Sequence, residues 1–315
     1  MTDIAAARAS PRSARAKWFT AIKVALCLAV VAAVAWTLTR QLRLVDWSQV
    51  RFELGPSLLA ALGLLGVSFM QLAARWTLLR AYGYPLSWRI NLAVSWIPQL
   101  GKYLPGGIAS VGGVVYLLRK YNVPGAVGLS VALLLDAMAV IAGLIVSTPL
   151  LFWGPVRERY PHVWIASGLM VVIGLVLLHP RVFVALLNAL LRKLKRQPLA
   201  SVPPVKAFTA PVLASFGQWI CAGLALYFMA LTITPISAKH IPFFCASAAL
   251  AMTISYLMPF TPGGIGIREW VYWITLSPLI GPQAALVALV LRVLQTILEI
   301  ALAAIGMMVL RKHVT

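Results

Sequence analysis

The chain has 315 residues, of which 61% are hydrophobic and only 11% charged. That excludes a soluble globular domain, in which about a quarter of residues are charged. The net charge of +20 would point to nucleic acid in a soluble chain. Here the basic residues stand in short flanks between apolar runs, where topology and anionic lipid headgroups account for them and no nucleic-acid partner is expected.

Residues 1–17 are a short basic tail, and 18–310 read as a single transmembrane domain. The first apolar run, about 19–39, is long enough to span. It has signal-peptide character, with Ala33-Val34-Ala35 as a cleavage site, but the run continues past that site and an uncleaved helix is expected. A second span covers about 56–80. A broken hairpin follows, with one limb over 86–103, a turn at Pro105, Gly106 and Gly107, and a short limb ending at Arg119. At 1.5 Å per residue the short limb reaches roughly 21 Å, less than the roughly 30 Å of a hydrocarbon core.

Spans are expected at 125–152 and 162–180. The basic loop 181–206 contains RKLKRQ, Pro203 and Pro204, and reads as a surface helix ending at a proline break. Another span covers 207–233, a second broken hairpin 241–279 with its turn at 259–264, and a final span 283–310, before the basic tail 311–315. The expected fold is therefore an all-α polytopic membrane protein with about six transmembrane helices and two re-entrant, broken helical hairpins.

The two hairpins form an internal repeat. LPGGI at 104–108 matches TPGGI at 261–265, and Pro124-Gly125 is answered by Gly281-Pro282. Each break precedes a long apolar helix with one charged residue at a comparable place, Asp136 and Arg292. Repeat one covers about 56–152 and repeat two about 207–310. Three spans lie between the hairpins, so the repeats are expected to be inverted. Sixteen loop and tail lysines and arginines fall on the side of the N-terminus against six on the other. The positive-inside rule then puts both termini in the cytoplasm.

Backbone groups released by a helix find no partner in hydrocarbon, so a break survives only inside protein or beside a polar cavity. Inverted repeats with broken helices put a binding site where the repeats meet, near mid-depth. Each short limb would start with unpaired N–H groups and the positive end of a helix dipole, which suits a phosphate or carboxylate. The expected headgroup cradle is Lys102, Pro105, Gly106, Gly107, Pro262, Gly263, Gly264, Gly266, Arg268 and Glu269. Arg292, Gln295 and Glu299 are offset by three and seven and share one helix face. With Asp136 they form either a polar pathway wall or a buried network that locks the bundle. Arg75 and Arg80 are expected to anchor headgroups near the inner surface.

Cys27, Cys221 and Cys245 lie in apolar runs, and the four histidines are scattered. Neither a disulfide framework nor a metal site is expected, and no cofactor. GxxxxGK[ST], HExxH and GxSxG are absent, which leaves no ATP-driven cycle within the chain and no expected catalytic residues.

ARW at 74–76, KYLPGG at 102–107, Asp136, PFTPGGIGIRE at 259–269 and ALVLR at 288–292 resemble the flippase-like membrane proteins related to the transmembrane domain of lysylphosphatidylglycerol synthetase. The resemblance implies movement of lipids between leaflets of a bacterial inner membrane. The family's PGG-G-x-x-E pattern falls on Pro262, Gly263, Gly264, Gly266 and Glu269. Members often carry Gly-Glu and Arg after the first turn, where this chain has Ser110, Gly112 and Gly113. The soluble synthetase part is missing, so synthesis of the aminoacylated lipid is not expected. The ligand expected is a phospholipid or a lipid-linked saccharide. The rival expectation is a non-transporting partner or regulator of a membrane enzyme that builds lipids or glycans.

Overall fold

The computed structural model describes residues 39, 43, 53–103, 108–152, 162–193, 204, 206–258, 264 and 266–314. The expected first span, 19–39, falls almost entirely outside them, as do Pro105, Gly106, Gly107, Pro262 and Gly263 of the two turns.

The chain is all-α, and it is a multi-pass membrane protein. Helix α1 is Leu54–Ala81, α2 is Trp88–Trp96, and a 3-10 turn runs over Pro98–Tyr103 before α3, Ile108–Arg119. Helix α4, Gly125–Val146, continues into a 3-10 turn at Thr148–Phe152. Then come α5 (Val163–Leu178), α6 (Pro180–Lys193), α7 (Lys206–Ile233), α8 (Ile241–Leu257), α9 (Ile267–Ile280) and α10 (Gln283–Val314). Among the described residues, five segments are long and apolar enough to cross a membrane: Leu54–Ala81, Gly125–Phe152, Lys206–Ile233, Ala238–Leu257 and Gln283–Arg311. Large apolar side chains point outward from them: Leu62 on α1 is 60% exposed, Leu213 on α7 66% and Ile297 on α10 58%. Water would penalise such a surface, and lipid chains solvate it.

Four of the five segments coincide with expected spans to within a few residues. The fifth was expected as the long limb of the second hairpin and, with its leading 3-10 turn, is long enough to cross by itself. Conversely, 162–180 yields a helix of 16 residues, about 24 Å long at 1.5 Å per residue. The basic loop begins as α6, whose Arg181, Arg192 and Lys193 are exposed while Val184 is buried.

The first Pro-Gly-Gly motif stands between the Pro98–Tyr103 turn and α3, and the second between α8 and α9. Helix α3 is 12 residues and α9 14, roughly 18 and 21 Å long at 1.5 Å per residue. The linkers that follow them also match. Asn122, between α3 and α4, takes φ 59°, and Gly281, between α9 and α10, takes φ 60°.

Two apolar cores hold the fold. One, built on the end of α1 with α2, α3 and α4, contains Leu78, Val94, Leu118, Leu134 and Met138. The other, built on α7 to α10, contains Trp219, Leu226, Phe244, Leu276 and Leu291. They are joined most extensively along α1 and α7. Gly63 of α1 sits against Ala225 and the Cys221 carbonyl, where an added Cβ would come within 2.9 Å. Small residues at that seam let two membrane helices approach closely. Trp219 Nε1 donates to the Ala139 carbonyl at 2.9 Å, tying α7 to α4.

Candidate functional site

The second break is shaped by glycine. Gly264 (φ 68°) and Gly266 (φ 92°) both lie in the left-handed region, which other residues seldom adopt. The chain then turns into α9, and Glu269 reaches back so that its Oε2 accepts from the Gly266 N–H at 2.7 Å. A carboxylate at the third helical position is a known way to satisfy an orphan N-terminal donor. At Gly266, therefore, the amide expected to await a ligand is already taken, which corrects the expectation of bare donors at that residue. The other Glu269 oxygen lies 3.9 Å from Arg292 Nε.

Arg292, Gln295 and Glu299 do share one face of α10, and that face gathers residues from both breaks. Glu299 Oε1 accepts from Lys102 Nζ and, at 2.7 Å, from Gln295 Nε2. Glu299 Oε2 accepts from the Tyr103 hydroxyl at 2.8 Å. Gln295 Oε1 accepts from Arg268 Nη1 at 3.1 Å, and Arg292 stands 5.7 Å from the centre of the Tyr103 ring. Lys102 precedes the first break and Arg268 follows the second, and one helix face binds both. The pathway-wall and locking-network readings of this face are thus not exclusive, because the same carboxylate locks Lys102 and faces the space beside it.

That space is a chamber of about 490 Å³. Its walls come from both halves of the molecule: Lys102, Asp136 and Arg75 from the first, Arg268, Gln295 and Glu299 from the second. Glu269 and Arg292 stand behind this wall, with side chains 6% and 12% exposed. The charged lining comprises three cations (Arg75, Lys102, Arg268) and two carboxylates (Asp136, Glu299), which leaves one positive charge unbalanced. Glu299 neutralises Lys102, so the imbalance does not reside there. Arg268 has a neutral amide as its hydrogen-bond partner, and its Nε is buried without one. A charge at such a depth costs about 2.5–3.5 kcal/mol on translocon scales, so an anion in the chamber would be stabilised beside it.

Arg75 lies on the chamber rather than among surface headgroups. Arg80, one helical turn further along α1, is exposed and stacks over Trp76 at 4.3 Å. Several lining residues were not singled out by sequence reasoning. Gln99 Nε2 donates to Gln71 Oε1 at 2.7 Å, and Gln71 Nε2 donates to Gln218 Oε1 at 3.2 Å, so three amides form a chain along the wall. Tyr103 could have been noticed as the neighbour of Lys102 before the break. The glutamines carried no comparable signal. Among the described residues no group of three or more His, Cys, Asp or Glu side chains comes together.

A family model described as the lysylphosphatidylglycerol synthase transmembrane region matches residues 20–303. The chain belongs to this family. None of the curated proteins matches it. Within the lysylphosphatidylglycerol synthase transmembrane-region fold, the matched stretch takes in both breaks, the charged face of α10 and every residue lining the chamber.

Proposed function

We propose that this membrane protein moves a lipid with an anionic or polar headgroup between the leaflets of a bacterial inner membrane. The observation that carries the reading is the chamber, walled by both halves and bearing one unbalanced positive charge. A headgroup phosphate would sit beside Arg268, and the acyl chains would stay among the outward-facing apolar side chains. Rocking one half of the molecule against the other would expose the chamber to each leaflet in turn. Energy would come from an ion gradient, the lipid's own gradient or a partner. The protein acts as a carrier and leaves its cargo chemically unchanged.

The test is leaflet-resolved labelling of lipid in proteoliposomes holding the purified chain. Wild-type protein should speed the exchange, and Arg268→Gln should slow it about 10- to 100-fold, the range that follows from losing one charge-assisted hydrogen bond of about 1.5–3 kcal/mol. Full transport by Arg268→Gln, or none by the folded wild type, would sink the proposal. The second outcome would favour a non-transporting enzyme partner.

Orientation has its own check. In a background with Cys27, Cys221 and Cys245 replaced, a cysteine at Lys120 should react only from the cytoplasmic side and one at Lys239 only from the outer side. Labelling of both from one side would overturn the assigned topology.

A further inference from the structure

The unpaired groups around the chamber are biased towards donors. Among the described residues, Arg75 Nε and Nη1, Trp96 Nε1 and Arg268 Nε are all buried with no protein acceptor, and all three residues line the chamber. The glutamine chain ends in a donor at Gln218 Nε2 and an acceptor at Gln99 Oε1, because its inner groups are used on each other. Glu299 is occupied by Lys102, Tyr103 and Gln295. Asp136 is exposed to the chamber and forms no hydrogen bond or ion pair among the described residues. These groups make up one neighbourhood, since Arg75, Asp136, Arg268 and Glu299 line the same chamber together with Tyr256.

We propose that the chamber recognises a hydroxyl-rich headgroup, a glycosyl or polyol unit carried on a phosphate. The proposal rests on the lipid-binding reading of the same chamber and deepens it. An ammonium headgroup has donors only. Carried on a phosphate, it would answer Asp136 and leave Arg268 to the phosphate, but the donors of Arg75 and Trp96 would stay unmet, and buried donors left unmet are uncommon in folded proteins. A hydroxyl both donates and accepts. Several on one ring or chain can accept from Trp96, Gln218 and Arg75 while giving protons to Asp136 and Gln99. The phosphate then accepts from a guanidinium, whose planar fork suits it. A volume of about 490 Å³ admits a headgroup of this kind and falls within the range of ligand sites, about 300–1,000 Å³.

The experiment is a native mass-spectrometry titration of the full chain, released from detergent micelles, with phosphatidylinositol, phosphatidylethanolamine and soluble inositol 1-phosphate. Phosphatidylinositol should bind at least about tenfold more tightly than phosphatidylethanolamine. Gln218→Leu should remove most of that preference without weakening phosphatidylethanolamine. Gln99→Leu, at the other end of the amide chain and outside the buried core, supplies the same reading if Gln218→Leu fails to fold. Asp136→Asn should weaken phosphatidylinositol by no more than about threefold, because the amide oxygen still accepts from a hydroxyl. Equal or tighter binding of phosphatidylethanolamine would overturn the proposal. So would an Asp136→Asn variant that loses phosphatidylethanolamine selectively, since Asp136 would then be an ammonium receptor. Inositol 1-phosphate binding as tightly as the lipid would support polyol recognition and remove the lipid from the reading. Selectivity for phosphatidylinositol without leaflet exchange would support this inference while the transport proposal fell.

Discussion

Glu299→Ala is expected to be the most damaging single change to the polar centre. Its carboxylate accepts from Lys102, Tyr103 and Gln295, with side-chain exposure of only 11%. Removing it strands the Lys102 ammonium among cations and apolar helices, and breaking a buried pair on one side costs about 3–5 kcal/mol. The loss is large against a typical total stability of about 5–15 kcal/mol. Thermal unfolding in detergent should show a strongly lowered midpoint and a poor yield of monodisperse protein. Glu299→Gln, which keeps acceptors for Tyr103 and a neutral partner for Lys102, should fall between wild type and alanine. The decisive control is Lys102→Met combined with Glu299→Ala. Once both charges are gone no uncompensated ion remains, so the double variant should be more stable than Glu299→Ala alone. If the two substitutions simply add, the pair is not what holds the turn.

Gly223→Val should be the most damaging change outside that centre. A Cβ at Gly223 would stand 2.3 Å from the Cys245 Cα and 2.4 Å from its Sγ. The nearest obstacle is backbone, which cannot rotate away, so α7 and α8 must separate. Separation opens voids through the core that contains Phe244, Ala248 and Leu226. Overpacking costs about 1–3 kcal/mol where side chains can adjust, and a clash against main chain should lie at or above the top of that range. Gly168→Ala is the matched control, because nothing lies within 4 Å of an added Cβ there. It should be neutral or slightly stabilising, as glycine is the poorer helix former by about 1 kcal/mol. Comparable thermal midpoints for the two variants would show that the α7–α8 contact is looser than described.

Much of this architecture was legible beforehand, for identifiable reasons. Long apolar runs can only be helices where every peptide group must be satisfied within the segment, so most spans fell where hydropathy put them. The Pro-Gly-Gly motifs stood out because such residues have no business in an uninterrupted membrane helix. The common face of Arg292, Gln295 and Glu299 follows from helical spacing alone. Pairing was the harder matter. Lys102 and Glu299 are 197 positions apart, and nothing local says which cation a carboxylate will meet. Arg75 looked like a surface anchor because it stands near the end of α1. Only the rotation of that helix about its axis, set by its seam with α7, turns it towards the interior. Gln71, Gln99 and Gln218 were passed over because a single neutral amide in an apolar helix fits a lipid-facing, core or cavity position equally well. Glu269 was weighed as a cradle member, yet half its hydrogen-bonding capacity goes to the start of its own helix.

The amide of Gln295 has a mechanical consequence. It holds Arg268 with its oxygen and Glu299 with its nitrogen, and Glu299 holds Lys102. Helix α10 is therefore a common shaft to which both hairpins are latched within one or two turns. A slip of that shaft by one helical repeat, about 5.4 Å, would undo both latches at the same stroke. Because Gln295 bonds Arg268 and Glu299 at once, a shift of α10 acts on the contacts of both halves of the molecule together.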